Sequence, residues 1–412
     1  MRSGEVMEEI YLDNAATTKC DPEVAALVAK VLTEEYGNPS ALHKKGIDAE
    51  SFVREAASRI AKTLHCKEKE LIFTSGGTES NNLALIGAAR ANRRAGMHIL
   101  STQIEHPSVK KTLAFLEEEG FRVTGLPAGE NGILSLKAFE EALDEETILV
   151  SVMMVNNEIG SIQPIREIRN LIDRNAPNAL LHVDAVQAYG KLPIHVKKSG
   201  IDLLSVSGHK LHGPKGVGFL YVKEGTKIRP VSFGGGQQKG MRSGTLNVPG
   251  IAGLGLAAEK AYAALSEHSA HMKEMRDLLA ALLVGMPDVV LNSPVAGSTA
   301  GSGEYAAADF RGQDEGADLC APHILNVSFP GIRSEVFLHA LEAQGIYVSS
   351  GSACASHHPS DKSTLMHIGR PKEITDSAIR FSLSRYTTRQ EIERTAEAVG
   401  ELLPVLRKFV RR

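Results

Sequence analysis

The stretch Ser205-Val-Ser-Gly-His-Lys210, followed by Gly213-Pro-Lys-Gly216, decides the fold. An apolar strand runs into a turn of small residues, and that turn carries a lysine. A lysine placed there can form a Schiff base with an aldehyde cofactor, because burial and neighbouring cations favour its nucleophilic amine. Ser207 and His209 are placed to hydrogen-bond a cofactor phosphate. Taken alone, the segment is more typical of a surface lysine in a basic loop. The other motifs of the chain must therefore show whether Lys210 binds a cofactor.

Outward from this segment, strand-like apolar runs alternate with amphipathic helical stretches. We predict buried strands at residues 70–74, 148–155, 180–183, 203–207 and 218–222, with further strands at 324–329, 347–349 and 379–383. Helices are expected from Asp21-Pro22 to near Gly37, and from Ile251 to about Leu283. The alternation predicts an α/β fold with a large domain, residues 21–262, whose mainly parallel sheet is flanked by helices. A smaller α+β domain is expected from residues 1–20 with 263–412.

Composition narrows the class of protein. The chain is 42% hydrophobic and carries a net charge of −3, which predicts a globular protein without a nucleic-acid or membrane surface. No apolar run approaches the roughly 18 residues that a membrane span needs. Cys20, Cys66, Cys320 and Cys354 are scattered, which argues against a zinc or disulfide framework and favours the cytoplasm. Residues 295–318, rich in Gly, Ala, Ser and Asp, are expected to form a mobile surface insertion.

A second segment, His182-Val-Asp-Ala-Val-Gln187, places an aspartate at the end of a buried strand. In a pyridoxal site a carboxylate keeps the pyridine nitrogen protonated, so that the ring can accept electrons. Asp184 fits that role, and Gln187 can reach the phenolic oxygen of the ring. The alternative is that Asp184 caps the helix after the strand.

Two further turns offer groups for an anion and for a flat ring. In Ser75-Gly-Gly-Thr-Glu-Ser80 the glycines let backbone N–H groups approach an anion. The helix that follows adds its partial positive charge, and Thr78 adds a hydroxyl. In Glu105-His-Pro-Ser108, His106 can stack on a cofactor and shuttle protons, or it can simply begin a helix.

Two residues are candidates for contact with a substrate. Arg380 lies in the apolar strand Ala378–Ser382, where a guanidinium is costly unless it is paired with an anion such as a substrate carboxylate. An internal salt bridge is the alternative for Arg380. Asn157 follows a buried strand and can touch the cofactor's phenolic oxygen, contact the substrate or cap a turn.

The last candidate is Cys354, in Ser349-Ser-Gly-Ser-Ala-Cys-Ala-Ser356. A structural cysteine is normally buried among hydrophobic residues, whereas this small and polar stretch is typical of a reactive thiol. His357 and His358 follow, and they either favour the thiolate, bind a metal or are incidental. We expect no metal, because two adjacent histidines and one cysteine make a poor chelate.

Together these segments resemble the cysteine desulfurases, which are fold-type-I pyridoxal-phosphate enzymes related to class-V aminotransferases. The resemblance extends from Tyr11-Leu-Asp-Asn-Ala-Ala-Thr-Thr18 to Ile379-Arg-Phe-Ser382, and it includes Arg242-Ser-Gly-Thr245. The long stretch from Cys354 to Ile379 resembles the housekeeping group that supplies iron–sulfur scaffolds and tRNA thiolation. The resemblance therefore implies L-cysteine as substrate, a homodimer and a sulfur-acceptor protein as partners.

The resemblance also implies a role for each candidate residue. Lys210 carries pyridoxal 5'-phosphate, His106 stacks on its ring, and Cys354 is the nucleophile that receives the sulfur. Asp184 pairs with the ring nitrogen and Gln187 with the phenolic oxygen. The phosphate is held by Gly77, Thr78, Ser207 and His209, together with Thr245 of the other subunit. The substrate is bound by Asn157, Arg380 and Asn38.

Three other functions remain open on the sequence alone. A selenocysteine lyase shares the fold, a transaminase would need no reactive loop cysteine, and a non-catalytic scaffold would need none of these residues. The desulfurase interpretation makes one spatial demand that the structure can test. The amine of Lys210, the carboxylate of Asp184 and the hydroxyl of Thr78 must converge on a single cavity.

Overall fold

The computed structural model describes residues 9–295, 318–350 and 363–408, so the predicted insertion lies almost wholly outside the described residues. Its strands are β1 Ile10–Tyr11, β2 Leu71–Thr74, β3 His98–Thr102, β4 Arg122–Leu126, β5 Thr147–Met153, β6 Leu180–Asp184, β7 Leu203–Ser207, β8 Gly218–Val222, β9 Val290–Leu291, β10 Ile324–Ser328, β11 Ile346–Tyr347, β12 Ser349–Ser350 and β13 Ala378–Ser382. Its α-helices are α1 Pro22–Thr33, α2 Lys44–Leu64, α3 Gly77–Asn92, α4 Pro107–Glu118, α5 Leu136–Ala142, α6 Ile165–Asn175, α7 Val248–Ala263, α8 Leu265–Val284, α9 Ser334–Glu342, α10 Thr364–His367, α11 Lys372–Asp376 and α12 Arg389–Arg407.

The larger sheet is mainly parallel, as predicted. Its seven strands follow the order β2-β8-β7-β6-β5-β3-β4, and the pairs from β7 to β4 are all parallel. Only β8 runs against its neighbours β2 and β7. Strands β5 and β7 are buried along their whole length, which is expected for a sheet covered by helices on both faces. The carboxyl ends of β5, β6 and β7 therefore lie at one edge of this sheet.

A second, antiparallel sheet has the order β12-β13-β10-β9. Its apolar residues pack in a cluster of their own with α8, α9 and α12, around side chains such as Phe329, Phe337 and Phe381. A separate and larger cluster lies beneath the seven-stranded sheet. The predicted domain limits, 21–262 and 1–20 with 263–412, stay a prediction. Within the described ranges, no helix combines the length and apolarity that crossing a membrane requires.

Three predicted elements have different limits in the structure. Helix α1 ends at Thr33 rather than near Gly37, because Glu34 and Glu35 place negative charge at the negative end of the helix dipole. The helix predicted from 251 to 283 is two helices that meet at Ala264, whose φ of −129° is not helical. The strand predicted at 347–349 is divided between β11 and β12, which belong to different sheets.

Candidate active site

The carboxyl ends of the central strands open into a cavity of about 450 Å³. Crevices at this edge of a parallel sheet are the usual position of ligands in α/β folds, and this volume suits a small molecule. Ten of the residues selected from the sequence line the cavity: Gly77, Thr78, His106, Asn157, Asp184, Gln187, Ser207, His209, Lys210 and Arg380. The demanded convergence of Lys210, Asp184 and Thr78 on one cavity is thus present in the structure.

Lys210 reaches the cavity from a single turn of 3₁₀ helix, Gly208–Lys210, that follows β7 directly. Its Nζ donates hydrogen bonds to the carbonyl oxygens of Ala15 at 2.6 Å and Ala16 at 2.7 Å. The main-chain carbonyl of Lys210 accepts from Nζ of the buried Lys191 at 2.7 Å. Burial, and then the charge of Lys210, lowers the pKa of Lys191 to about 7. Hydrogen bonds made by both the side chain and the main chain of Lys210 therefore fix the turn that carries it.

Asp184 ends strand β6, and both of its carboxylate oxygens have donors. Oδ1 accepts from the backbone N–H of Val186 at 3.0 Å, in a turn; no helix follows β6 directly, so the helix cap that the sequence left as an alternative is not formed. Oδ2 accepts from Nδ2 of Asn81 at 2.8 Å. Only 5% of the Asp184 residue surface is exposed, so these two donors replace the hydrogen bonds that water would make to an exposed carboxylate. The two donors therefore fix the orientation of the carboxylate where it faces the cavity.

His106 is the N-cap of α4 and belongs to the same hydrogen-bond chain. Its Nδ1 accepts from the backbone N–H of Ser108 at 3.1 Å and lies 2.7 Å from Ser108 Oγ. Ser108 Oγ in turn accepts from Nδ2 of Asn81 at 2.9 Å. Because Nδ1 accepts, the proton of the neutral ring sits on Nε2. Burial lowers the pKa of His106, opposed by the charge of Asp184, which favours this neutral ring.

The start of α3 forms a small cradle opposite Ser207. Gly76 has a φ of 151°, and a Cβ added to Gly77 would lie 2.7 Å from Cγ2 of Val186, so the backbone approaches its neighbours closely here. The first N–H groups of a helix have no partner within the helix and attract anions. Thr78 adds a hydroxyl, and the Nδ1 of His209 lies 3.1 Å from Thr17 Oγ1. Burial and neighbouring lysines lower the pKa of His209 to about 4.

Arg380 enters the cavity from β13 with its terminal nitrogens already engaged. Nη2 donates to Asp13 Oδ1 at 2.9 Å and Nη1 donates to the carbonyl of Asn157 at 2.8 Å. The internal salt bridge left open by the sequence is therefore real. However, Nε of Arg380 is buried with no partner among the described residues. Such a donor is available to an anion that enters the cavity, since an unpaired buried N–H is costly.

Two candidate residues that the structure describes, Asn38 and Thr245, do not line this cavity. Asn38 lies in a turn, where its Oδ1 accepts from the backbone N–H of Ser40 at 3.0 Å. Thr245 is exposed and does not line the cavity. Cys354, and with it His357 and His358, lies outside the described residues. No group of three His, Cys, Asp or Glu side chains suited to a metal occurs in the part of the chain that the structure describes.

Sequence reasoning missed Asn81 and the contact made by Ser108. Asn81 is only 1% exposed and links Asp184 to Ser108 and so to His106. It lies four residues after Gly77 on α3, so helical spacing places both residues on the same face of the helix. That spacing was the available signal.

The residues present fit pyridoxal 5'-phosphate. A lysine amine, a stabilised carboxylate and a neutral imidazole face one cavity, and a glycine-lined helix start lies at its end. These are the groups that an aldehyde, a pyridine nitrogen, a flat ring and a phosphate respectively require. No metal is needed to complete this set.

Comparisons with known proteins agree with the geometry. The sequence profile of the Aminotransferase class-V family matches residues 10–395. A cysteine desulfurase IscS of Methanosarcina thermophila is 41% identical over 400 residues, covering 97% of this chain and 93% of the relative. The solved structure of a NifS-like protein superposes with a TM-score of 0.87 at 36% identity, covering 97% of this chain and 100% of that one. A structure titled "SspA in complex with cysteine" has a TM-score of 0.75 at 30% identity, with 92% and 100% covered. The chain therefore belongs to the cysteine desulfurase family of class-V aminotransferases, a family of pyridoxal-phosphate-dependent enzymes.

Proposed function

We propose that this chain removes the sulfur of L-cysteine, releases L-alanine and holds the sulfur as a persulfide on Cys354. The reaction balances as L-cysteine plus the Cys354 thiol giving L-alanine plus the Cys354 persulfide. The observation that carries the proposal is the convergence of Lys210, Asp184 and Thr78 on one cavity that also contains Arg380. The family to which the chain belongs supports the choice of substrate.

The residues of the cavity divide the work by position. Bound pyridoxal phosphate supplies a ring that accepts electrons from the substrate carbon, so that its α-proton can be removed. The carboxylate of Asp184 holds a proton on the ring nitrogen, and Asn81 holds that carboxylate in place. The amine of Lys210, when it is not bonded to the cofactor, would take the proton from Cα of the substrate. The Nε2–H of His106 provides a second proton donor at the ring face.

Arg380 is proposed to bind the substrate carboxylate through Nε, which has no other partner in the described residues. Nη2 keeps a second hydrogen beside its bond to Asp13, so a carboxylate can be held by two parallel N–H groups. Asn157 is fixed beside it through its carbonyl. A carboxylate bound there would place Cα of the amino acid in the cavity that Lys210 also lines.

Cys354 is the proposed nucleophile although it lies outside the described residues. Ser350, four positions earlier, lines the cavity. Four residues of extended chain span at most about 14 Å, so the thiol is tethered within reach of the cavity. On the other flank, the backbone N–H of Thr364 donates to Glu158 Oε2 at 3.0 Å, and Asn156 Nδ2 lies 3.1 Å from Thr364 Oγ1. Both flanks of the cysteine segment are thus fixed near the site.

The partners and the location are part of the same proposal. A homodimer would bring the exposed Thr245 of one subunit to the phosphate of the other. The persulfide would pass to a sulfur-acceptor protein, such as an iron–sulfur scaffold or a tRNA-thiolation factor. Cys20, Cys66 and Cys320 are free thiols, which is consistent with a reducing cytoplasm.

The test compares Cys354→Ser with Cys320→Ser, a matched control in which the thiol is buried away from the cavity. Purified protein is incubated with L-cysteine, and alanine, sulfide and the mass of the Cys354 peptide are measured. We expect the parent and the control to form alanine and to gain the mass of one sulfur on that peptide. Cys354→Ser should keep the yellow cofactor and lose alanine formation. Desulfuration at the parent rate by Cys354→Ser would refute the assignment of the nucleophile, and a preference for selenocysteine would point to a lyase.

A further inference from the structure

One buried titratable side chain lies directly behind the cavity and has no part in the mechanism above. His323 is fully buried and precedes β10. Its Nε2 lies 3.3 Å from Oε1 of Gln187, the residue proposed to face the cofactor's phenolic oxygen. Its Nδ1 is buried without a partner in the described residues. An orphaned ring nitrogen of this kind needs a physical reason.

The polarity of the contacts settles which way the Gln187 amide points. The carbonyl of Ala15 can only accept, and Gln187 Nε2 donates to it at 2.9 Å. Oε1 therefore faces His323, and Nε2 of the imidazole must carry the proton. The bare Nδ1 is then a lone pair without a donor, which costs less than a buried N–H without an acceptor.

The surroundings of His323 keep the ring neutral. Burial lowers its pKa well below the usual value, and the charges of Lys191, Arg380, Arg276 and Lys210 add to the effect. Each of these four cations disfavours a second positive charge on the imidazole. A neutral ring with its proton on Nε2 is a permanent donor to Gln187.

His323 also connects this amide to the strand that carries Arg380. The carbonyl of His323 accepts from the backbone N–H of Leu383 at 2.9 Å, which extends the pairing of β10 with β13. His323 thus connects the antiparallel sheet with Gln187, which follows β6 of the larger sheet. The position of Gln187 is fixed from two sides, by Ala15 and by His323.

We propose that His323 is a positioning residue that orients Gln187 so that its second amide N–H is presented to the phenolic oxygen of the bound cofactor. The proposal rests on the proposed function for the identity of that oxygen. Among the described residues, one N–H of the Gln187 amide donates to the carbonyl of Ala15. The second N–H can donate to a group in the cavity that Gln187 lines. Loss of this donor would leave the negative charge of the oxygen less stabilised.

The first test is the tautomer of His323 in the purified protein labelled with 15N-histidine. The signal is assigned as the one of 15 histidines that disappears in His323→Gln. We expect a protonated Nε2, a bare Nδ1 and no titration between pH 6 and pH 8. A protonated Nδ1, or a ring that titrates in this range, would overturn the proposal.

The second test is the pH midpoint of the bound cofactor's visible absorbance. In His323→Leu, which lacks the donor, the midpoint should rise by roughly one pH unit, because the cofactor holds its proton more tightly when its oxygen loses a donor. In His323→Gln, whose amide nitrogen reaches the place of Nε2, the midpoint should return close to that of the parent. A parental midpoint in His323→Leu would contradict the proposal. If His323→Leu does not fold, the tautomer of the parent protein still decides.

Neither readout depends on turnover of L-cysteine. If the chain forms no alanine, the proposed function fails while the tautomer and the absorbance midpoint still decide the role of His323.

Discussion

Replacing Asn81 by leucine tests the hydrogen-bond chain that the structure revealed at the cavity. The two N–H groups of this amide are its only bonds in the described residues, since its Oδ1 is buried without a partner. One donates to Asp184 Oδ2 at 2.8 Å and one to Ser108 Oγ at 2.9 Å. Leucine has a similar volume and removes both donors. The buried Asp184 carboxylate then loses one of its two donors.

The magnitude follows from the charge on Asp184. A hydrogen bond to a charged group contributes about 1.5–3 kcal/mol, so the dissociation constant of pyridoxal phosphate should rise roughly ten- to hundredfold. The assay titrates cofactor-free protein with pyridoxal phosphate and follows the visible absorbance. Asn92→Leu is the matched control, because Asn92 is an amide at the far end of the same helix that bonds the carbonyls of Ala88 and Lys227. An unchanged constant in Asn81→Leu, or an equal loss in both variants, would refute the reasoning.

Three further predictions concern Gly77, Arg380 and His182. Gly77→Ala should weaken cofactor binding roughly tenfold, because its Cβ would lie 2.7 Å from Val186; Gly285→Ala, whose nearest contact would be 3.8 Å, should leave the absorbance titration unchanged. Arg380→Lys should raise KM for L-cysteine about tenfold or more with a smaller effect on kcat, because a lysine cannot hold a carboxylate by two parallel bonds; an unchanged KM would exclude Arg380 from carboxylate binding. Burial lowers the pKa of His182 to about 4 from 6.5, so the folded state binds fewer protons than the unfolded state below pH 6.5. Stability should therefore fall as the pH drops from about 6.5 to about 4, by at most about 3 kcal/mol from this group, and remain level above pH 6.5; urea unfolding of His182→Gln should show a shallower fall, and an identical slope would contradict the assignment.

The parts of the fold that the sequence predicted well depend on local patterns. The strand that leads to Lys210 has three apolar residues among its five positions and is followed by a glycine, and the structure places β7 at Leu203–Ser207 as expected. The strand ending at Asp184 was also predicted, because a short and mostly apolar run is typical of a buried parallel strand. The break at Ala264 was missed because the alanine-rich sequence around it favours a helix throughout.

The parts of the site that the sequence could not predict depend on distant contacts. Asn81 meets Asp184 across 103 positions, and Arg380 meets Asp13 across 367. Asp13 had been part of a recognised motif, but nothing near it in the chain indicates that its carboxylate pairs with an arginine of the last strand. The same holds for His323, which reaches Gln187 across 136 positions. Such partners become visible only once distant segments of the chain have packed together.

The most direct test of the account is to locate the lysine that carries the cofactor. Purified protein is reduced with borohydride, digested and analysed by mass spectrometry for the pyridoxyl-phosphate adduct. The account predicts that the adduct lies on the peptide that contains Lys210. An adduct on another lysine, including the buried neighbour Lys191, or no adduct on any peptide of a yellow protein, would contradict it.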